Sequence, residues 1–110
     1  MAIDYPRAMA AYKVGAEAGH APDQFQLGMM YYRGEGVAVD YQQARAWLEK
    51  AAAQDQPSAV GVLGTMYHNG EGVTPSWRRV RELYKRAIKL GNSQAVENMQ
   101  GLTEEIQKVS

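Results

Sequence analysis

Cysteine is absent from this 110-residue sequence. Disulfide staples, thiolate zinc sites and cysteine nucleophiles are therefore excluded. Net charge is absent too. Twelve Lys and Arg balance 12 Asp and Glu, so no bulk attraction toward nucleic acid or a membrane surface is expected. No apolar run approaches the ~18 residues of a membrane span. The first residues show neither the charged leader nor the apolar stretch of a secretion signal, and a cytoplasmic location is the expectation. Histidine is scarce: His20 and His68 stand in different connections or helix ends, without the spacing of a metal site. Large aliphatic residues are sparse as well. Disorder usually combines that scarcity with high net charge. Here the charge is zero, and 16 Ala, 7 Tyr and 6 Met fill the gap. Small residues permit close helix contact, and Tyr and Met fill the space that remains.

What is present is a sentence written twice. Gly28-Met29-Met30-Tyr31-Tyr32-Arg33-Gly34-Glu35-Gly36-Val37 returns 36 residues later as Gly64-Thr65-Met66-Tyr67-His68-Asn69-Gly70-Glu71-Gly72-Val73. The same lag places Asp4-Tyr5 on Asp40-Tyr41, Ala16 on Ala52, Ala51 on Ala87, and Ala59-Val60 on Ala95-Val96. A period in this range is the mark of a solenoid. Thirty-six residues hold two helices of three to four turns with short connections. Helix A is expected over Pro22–Arg33 and Pro57–Asn69. The glycines Gly28 and Gly64 recur in phase inside it, so a neighbouring helix is expected to come close there. Gly34 and Gly70 suit a left-handed C-terminal residue, and Gly36 and Gly72 a second bend. Helix B is expected to start near Asp40 or Tyr41, with Asp40 as N-cap and Gln43 three residues on. In its copy either hydroxyl of Thr74-Pro75-Ser76 is a cap, and Pro75 suits the first turn. Ala44, Trp47, Leu48, Ala51 and Ala52 form the buried stripe of one copy; Val80, Leu83, Tyr84, Ala87 and Ile88 form that of the other.

The expected organisation is one all-α domain over residues 1–110: a half repeat (4–20, a helix B), repeat 1 (21–56), repeat 2 (57–92) and a capping helix (93–110). Gln100 stands where the helix glycine belongs in this last helix, and no Gly-x-Gly follows. A more polar final helix is how a solenoid seals its core. No such seal precedes residue 4. The chain is expected to be a piece of a longer array, or a domain whose open end, with Ala8, Met9, Ala11 and Tyr12, meets something else.

Leu-Gly-x-x-Tyr alone points to tetratricopeptide repeats, whose period is 34. The two extra residues and the Gly-Glu-Gly-Val loop instead resemble Sel1-like repeats. Leu27, Gly28, Tyr31, Gly34, Gly36, Val37, Asp40, Ala44, Trp47, Lys50, Ala51 and Ala52 carry the first copy; Ala59, Leu63, Gly64, Tyr67, Gly70, Gly72, Val73, Leu83, Arg86 and Ala87 carry the second. The resemblance implies a right-handed αα-superhelix of helix-turn-helix repeats, helix A lining the concave side, and a scaffold or adaptor role in protein–protein interaction. Some relatives are cysteine-rich, and the absence of cysteine keeps their properties from being carried over. Asp23 departs from the family's Ala, Asp55 from its Gly, and Ser76 and Val80 from its Asp and Ala.

Neither Gly34-x-Gly36 nor Gly70-x-Gly72 reads as a nucleotide loop. A helix precedes each, and Val39 and Pro75 stand where the third glycine belongs. No nucleophile, base and acid set suggests catalysis, and no cofactor is implied. Recognition is expected instead on the helix A positions that change between copies: Gln26, Met29, Tyr32 and Arg33, then Val62, Thr65, His68 and Asn69. Gly28, Tyr31, Gly34, Gly36, Gly64, Tyr67, Gly70 and Gly72 are the framework. The expected partner is a protein or peptide, with self-association through the open N-terminal end as an alternative. The segment Trp77–Lys89 carries six basic residues against Glu82. An anionic partner there, RNA or lipid, is a further alternative, although nucleic acid is not the expected ligand. Glu97, Glu104 and Glu105 are expected to neutralise part of this charge.

Overall fold

In a computed structural model, which describes residues 3–109, six helices follow one another: α1 (Tyr5–Glu17), α2 (Ala21–Arg33), α3 (Tyr41–Ala53), α4 (Pro57–Asn69), α5 (Trp77–Lys89) and α6 (Ser93–Val109). Met1, Ala2 and Ser110, which the expected domain span includes, lie outside the described residues. No strand occurs among the described residues. Each helix packs on the next, and the closest pairs are α2 with α3 and α4 with α5, the two helices of one 36-residue unit. The stack measures 48 × 28 × 26 Å, elongated as a nearest-neighbour array must be.

The helix starts follow local chemistry. The Asp40 carboxylate accepts the Gln43 backbone N–H at 3.1 Å, and the Ser76 hydroxyl accepts that of Arg79 at 3.3 Å. Ser76, not Thr74, is the cap. Pro75 precedes the helix instead of entering its first turn, where it packs over the Gly70 bend. The later helix A starts are capped by side chains of other types: Gln56 accepts from Ala59 N at 2.9 Å, and Asn92 accepts from Gln94 N at 3.0 Å, whereas His20 before α2 makes no such bond.

The glycine bends are left-handed, with φ of 72° and 79° at Gly34 and Gly36 and 68° and 72° at Gly70 and Gly72. They also carry the stack. A Cβ on Gly36 would lie 2.5 Å from the Tyr5 Cβ, and one on Gly72 would lie 2.8 Å from that of Tyr41. Each loop therefore rests on the first residue of the preceding helix B. Gly28 and Gly64 serve a different contact. A Cβ there would reach 2.9 Å from Leu48 Cγ and 2.5 Å from the Tyr84 ring, respectively, so the close helix approach expected from the recurrence is present in both copies.

The core runs along this seam. Ala44, Leu48, Ala51, Ala59, Val60, Met66, Ala87 and Ala95 are all fully buried. Two departures from the family pattern are compensated locally. Asp23 occupies space that a side chain on Gly15 would fill, and it hydrogen-bonds His20 at 2.8 Å. Asp55 adopts the left-handed conformation (φ 61°) that Gly19 and Gly91 take at the equivalent bends; its carboxylate meets Arg86 at 2.8 Å. At the N-terminal end of the stack, Ala11, Ile3 and Val14 are exposed, the last two as large apolar side chains, while Ala8, Met9 and Tyr12 are half-buried.

Candidate functional site: the groove between α4 and α6

Helix A positions differ in their fate. Met29, expected outside the core stripe, is buried at 7% exposure and joins the main core cluster. The reason is that α2 has neighbours on two sides. Its buried set is Gln24, Leu27, Gly28, Met29 and Met30, wider than the single stripe of a one-sided amphipathic helix. Gln24 shows the same effect in polar form: its amide donates to Ala16 O at 3.2 Å, and its oxygen accepts from Gln54 at 3.0 Å.

Tyr32 is half-buried and spans two repeats. Its hydroxyl donates to the Glu71 carboxylate at 2.6 Å, in the glycine loop of the next unit. Asn69, exposed, donates to the same carboxylate at 3.3 Å. Arg33 is exposed, 4.0 Å from Glu35, and Gln26 is exposed. Burial raises the Tyr32 phenol well above its ordinary pKa, and the hydrogen bond to Glu71 and its charge add to this. The Glu71 charge also raises Tyr41, and burial raises Tyr84.

A phenol raised in the folded state stabilises the fold below its unfolded pKa of about 10. That contribution fades as pH rises beyond it, because the unfolded chain ionises first. Thermal melts should therefore show Tm falling above pH ~10, and less steeply in Tyr32→Phe. At neutral pH the same substitution should cost about 1 kcal/mol for the lost hydrogen bond.

The remaining expected residues come together. Val62, Thr65, His68 and Asn69 of α4 face α6 across two adjoining cavities. One, of about 230 Å³, is lined by Ser58, Gly61, Val62, Thr65, Asn92, Gln94 and Asn98. The other, of about 260 Å³, includes Thr65, His68, Asn69, Asn98, Gly101 and Glu105. Thr65 and Asn98 belong to both, so the two form one groove. Thr65 is held by Tyr84 OH at 3.2 Å, and its hydroxyl lies 3.4 Å from Gly61 O. His68 and Glu105 bridge the walls at 3.0 Å, and the His68 ring lies 5.4 Å from that of Trp77. Gln26, Tyr32 and Arg33 of α2 line neither cavity.

The α6 wall was missing from the expected set. The signal for it was the lag itself: one repeat beyond Val62, Thr65 and Asn69 stand Asn98, Gly101 and Glu105. The groove is lined by amides and hydroxyls, with His68, Glu97 and Glu105 at one end, a set that suits hydrogen bonding to a polypeptide. Among the described residues no group of His, Asp and Glu is placed to hold a metal ion, and no helix is long and apolar enough to cross a membrane.

Comparison with known proteins agrees with the architecture. The Sel1 repeat matches twice, at residues 21–56 and 58–92. A Sel1 repeat protein from Oxalobacter formigenes is 36% identical, with a TM-score of 0.80 over 84% of this chain and 38% of that one. A protective antigen of uropathogenic Escherichia coli strains displaying an SLR fold is 37% identical, with a TM-score of 0.81 over 84% of this chain and 20% of that one. This chain thus spans well under half the length of either. Helicobacter pylori cysteine rich protein B shares the fold at a TM-score of 0.80 and 21% identity, over 86% of this chain and 71% of that one. A search of curated proteins finds no match. Sel1-repeat proteins are generally non-enzymatic scaffolds for protein interaction. With two adjacent matches covering most of the chain, glycine bends in both and solved relatives of the same solenoid form, the chain belongs to the Sel1 repeat family.

Proposed function

We propose that this chain is a scaffold that holds a peptide or protein partner on its helix A side, in the groove between α4 and α6. The observation that carries this reading is the pair of cavities joined at Thr65 and Asn98. They offer amide and hydroxyl groups on side chains that change from repeat to repeat. The exposed Gln26 and Arg33 of α2 extend the same side of the stack.

Gly101 provides a clean test. It lines the groove, is exposed, and a Cβ added there meets nothing within 4 Å. Gly101→Arg therefore puts a bulky charge into the groove without disturbing the core, and removes a helix glycine worth about 1 kcal/mol. Peptides selected from an unbiased displayed library on the intact chain should bind Gly101→Arg at least tenfold more weakly, with Tm unchanged or raised. Undiminished binding would refute the groove as the recognition surface.

A further inference from the structure

The helix B side carries a second surface, independent of the groove. On α5 the buried residues are Val80, Leu83, Tyr84 and Ala87. With 3.6 residues per turn, Arg78, Lys85 and Lys89 fall within about 40° of one another on the opposite face. Not all of its basic charge is free. Arg78 and Arg79 both meet Glu82 at 3.3 Å, and Arg86 donates to Ala52 O and meets Asp55 at 2.8 Å. The α6 acids make no direct ion pair with this face among the described residues: Glu105 bonds His68 and Glu97 bonds Gln94. Among the described residues Arg81, Lys85 and Lys89 have no carboxylate within 4.0 Å. In a chain of zero formal charge, this is a local positive field.

The charge borders a shallow depression. Glu82, Lys85, Arg86, Ile88 and Lys89, all of α5, line an open surface depression of about 600 Å³. Ile88 is half-buried there, and the aliphatic stems of Lys85 and Lys89 form its sides. Arg86 is fixed in place by its two contacts with the end of α3.

We propose that this face docks an acidic segment of another protein, with an apolar side chain seated against Ile88 and carboxylates meeting Lys85, Lys89 and Arg81. Charge complementarity calls for an anion. The depression calls for an apolar anchor, which a nucleic-acid backbone does not supply. The one exposed aromatic of this helix, Trp77, sits at its far end, so bases find no stacking platform beside the depression. A lipid headgroup layer likewise presents phosphates without an apolar side chain at the level of Ile88.

The test is a displayed peptide library biased toward Asp and Glu, selected on the intact chain. Enriched peptides should carry a Leu, Ile or Phe flanked by acids. Their affinity should fall at least tenfold for Lys85→Glu/Lys89→Glu, fall again when the peptide's apolar residue becomes Ser, and weaken with added salt. It should be unchanged for Gly101→Arg, which separates this surface from the groove. Failure to enrich such peptides, or affinity indifferent to Lys85→Glu/Lys89→Glu, would overturn the proposal. So would tighter binding of a 20-nucleotide single-stranded RNA or of phosphatidylserine vesicles. Concentration-dependent self-association abolished by Lys85→Glu/Lys89→Glu would assign the face to a second copy and equally overturn it.

Discussion

Leu48→Ala is expected to remove about 3 kcal/mol of stability, and Gly28→Ala is expected to lose its cost in that background. Leu48 is fully buried in the main cluster, with its Cγ 2.9 Å from where a Gly28 Cβ would stand. Truncating a buried leucine loses its transfer free energy and leaves a cavity, a cost of about 2–5 kcal/mol. For a domain whose total stability is of order 5–15 kcal/mol, that is a large share. Gly28→Ala alone forces a methyl into a filled contact, at about 1–3 kcal/mol, offset by a helix propensity gain of about 1 kcal/mol. Once Leu48 is shortened, the methyl has room on that side, and only the Ala44 carbonyl remains near, at 3.2 Å. Urea melts of the four proteins should therefore give a coupling energy of about 1–2 kcal/mol. Additive effects would mean that the two helices do not meet where the glycine recurs.

The second large effect comes from the other copy. Gly64→Val should lower Tm by about 10 °C or more, the equivalent of roughly 2–3 kcal/mol in a domain this size. Even a Cβ alone would stand 2.5 Å and 2.6 Å from two carbons of the Tyr84 ring. The ring has little freedom to retreat. Tyr84 is 1% exposed, packs with Val80, Leu102, Tyr67 and Met99, and its hydroxyl is bonded to Thr65. Gly101→Ala supplies the contrast, since its Cβ meets nothing. It should raise stability by up to about 1 kcal/mol. Two helix glycines of one chain are thus expected to respond with opposite sign, and calorimetry of both variants checks it. Equal responses would remove the packing argument and leave only helix propensity.

Much of this was legible in the residues. The recurrence of Gly28 as Gly64 announced close approach, and Leu48 and Tyr84 are what approach. Gly34, Gly36, Gly70 and Gly72 announced left-handed bends, which they make. Asp40 announced its cap. Other features belong to relations that one repeat does not contain. Met29 is buried because α2 has two neighbours, whereas an amphipathic stripe describes a helix with one. The Tyr32–Glu71 bond links residues 39 apart and depends on how successive units are rotated, which no spacing within a unit reveals. Ser76 prevails over Thr74 because Pro75 does not enter the helix. The α6 wall was overlooked because Gln100 and the missing Gly-x-Gly mark that helix as different. Yet Leu102 is buried, as Met66 is one repeat earlier, and the same lag leads to Asn98, Gly101 and Glu105.

The packing explains why the proposed recognition surface is free to vary. The core is held by glycine, alanine and a few large side chains along the A–B seam, so the outward positions of α4 and α6 change without disturbing it. The most direct test of the proposed recognition site is an amide shift titration of the isotope-labelled chain with a peptide from the unbiased selection. Movements concentrated at Val62, Thr65, Asn69, Asn98 and Gly101 are predicted. Movements confined to α1 and α3, with those five amides still, would contradict it.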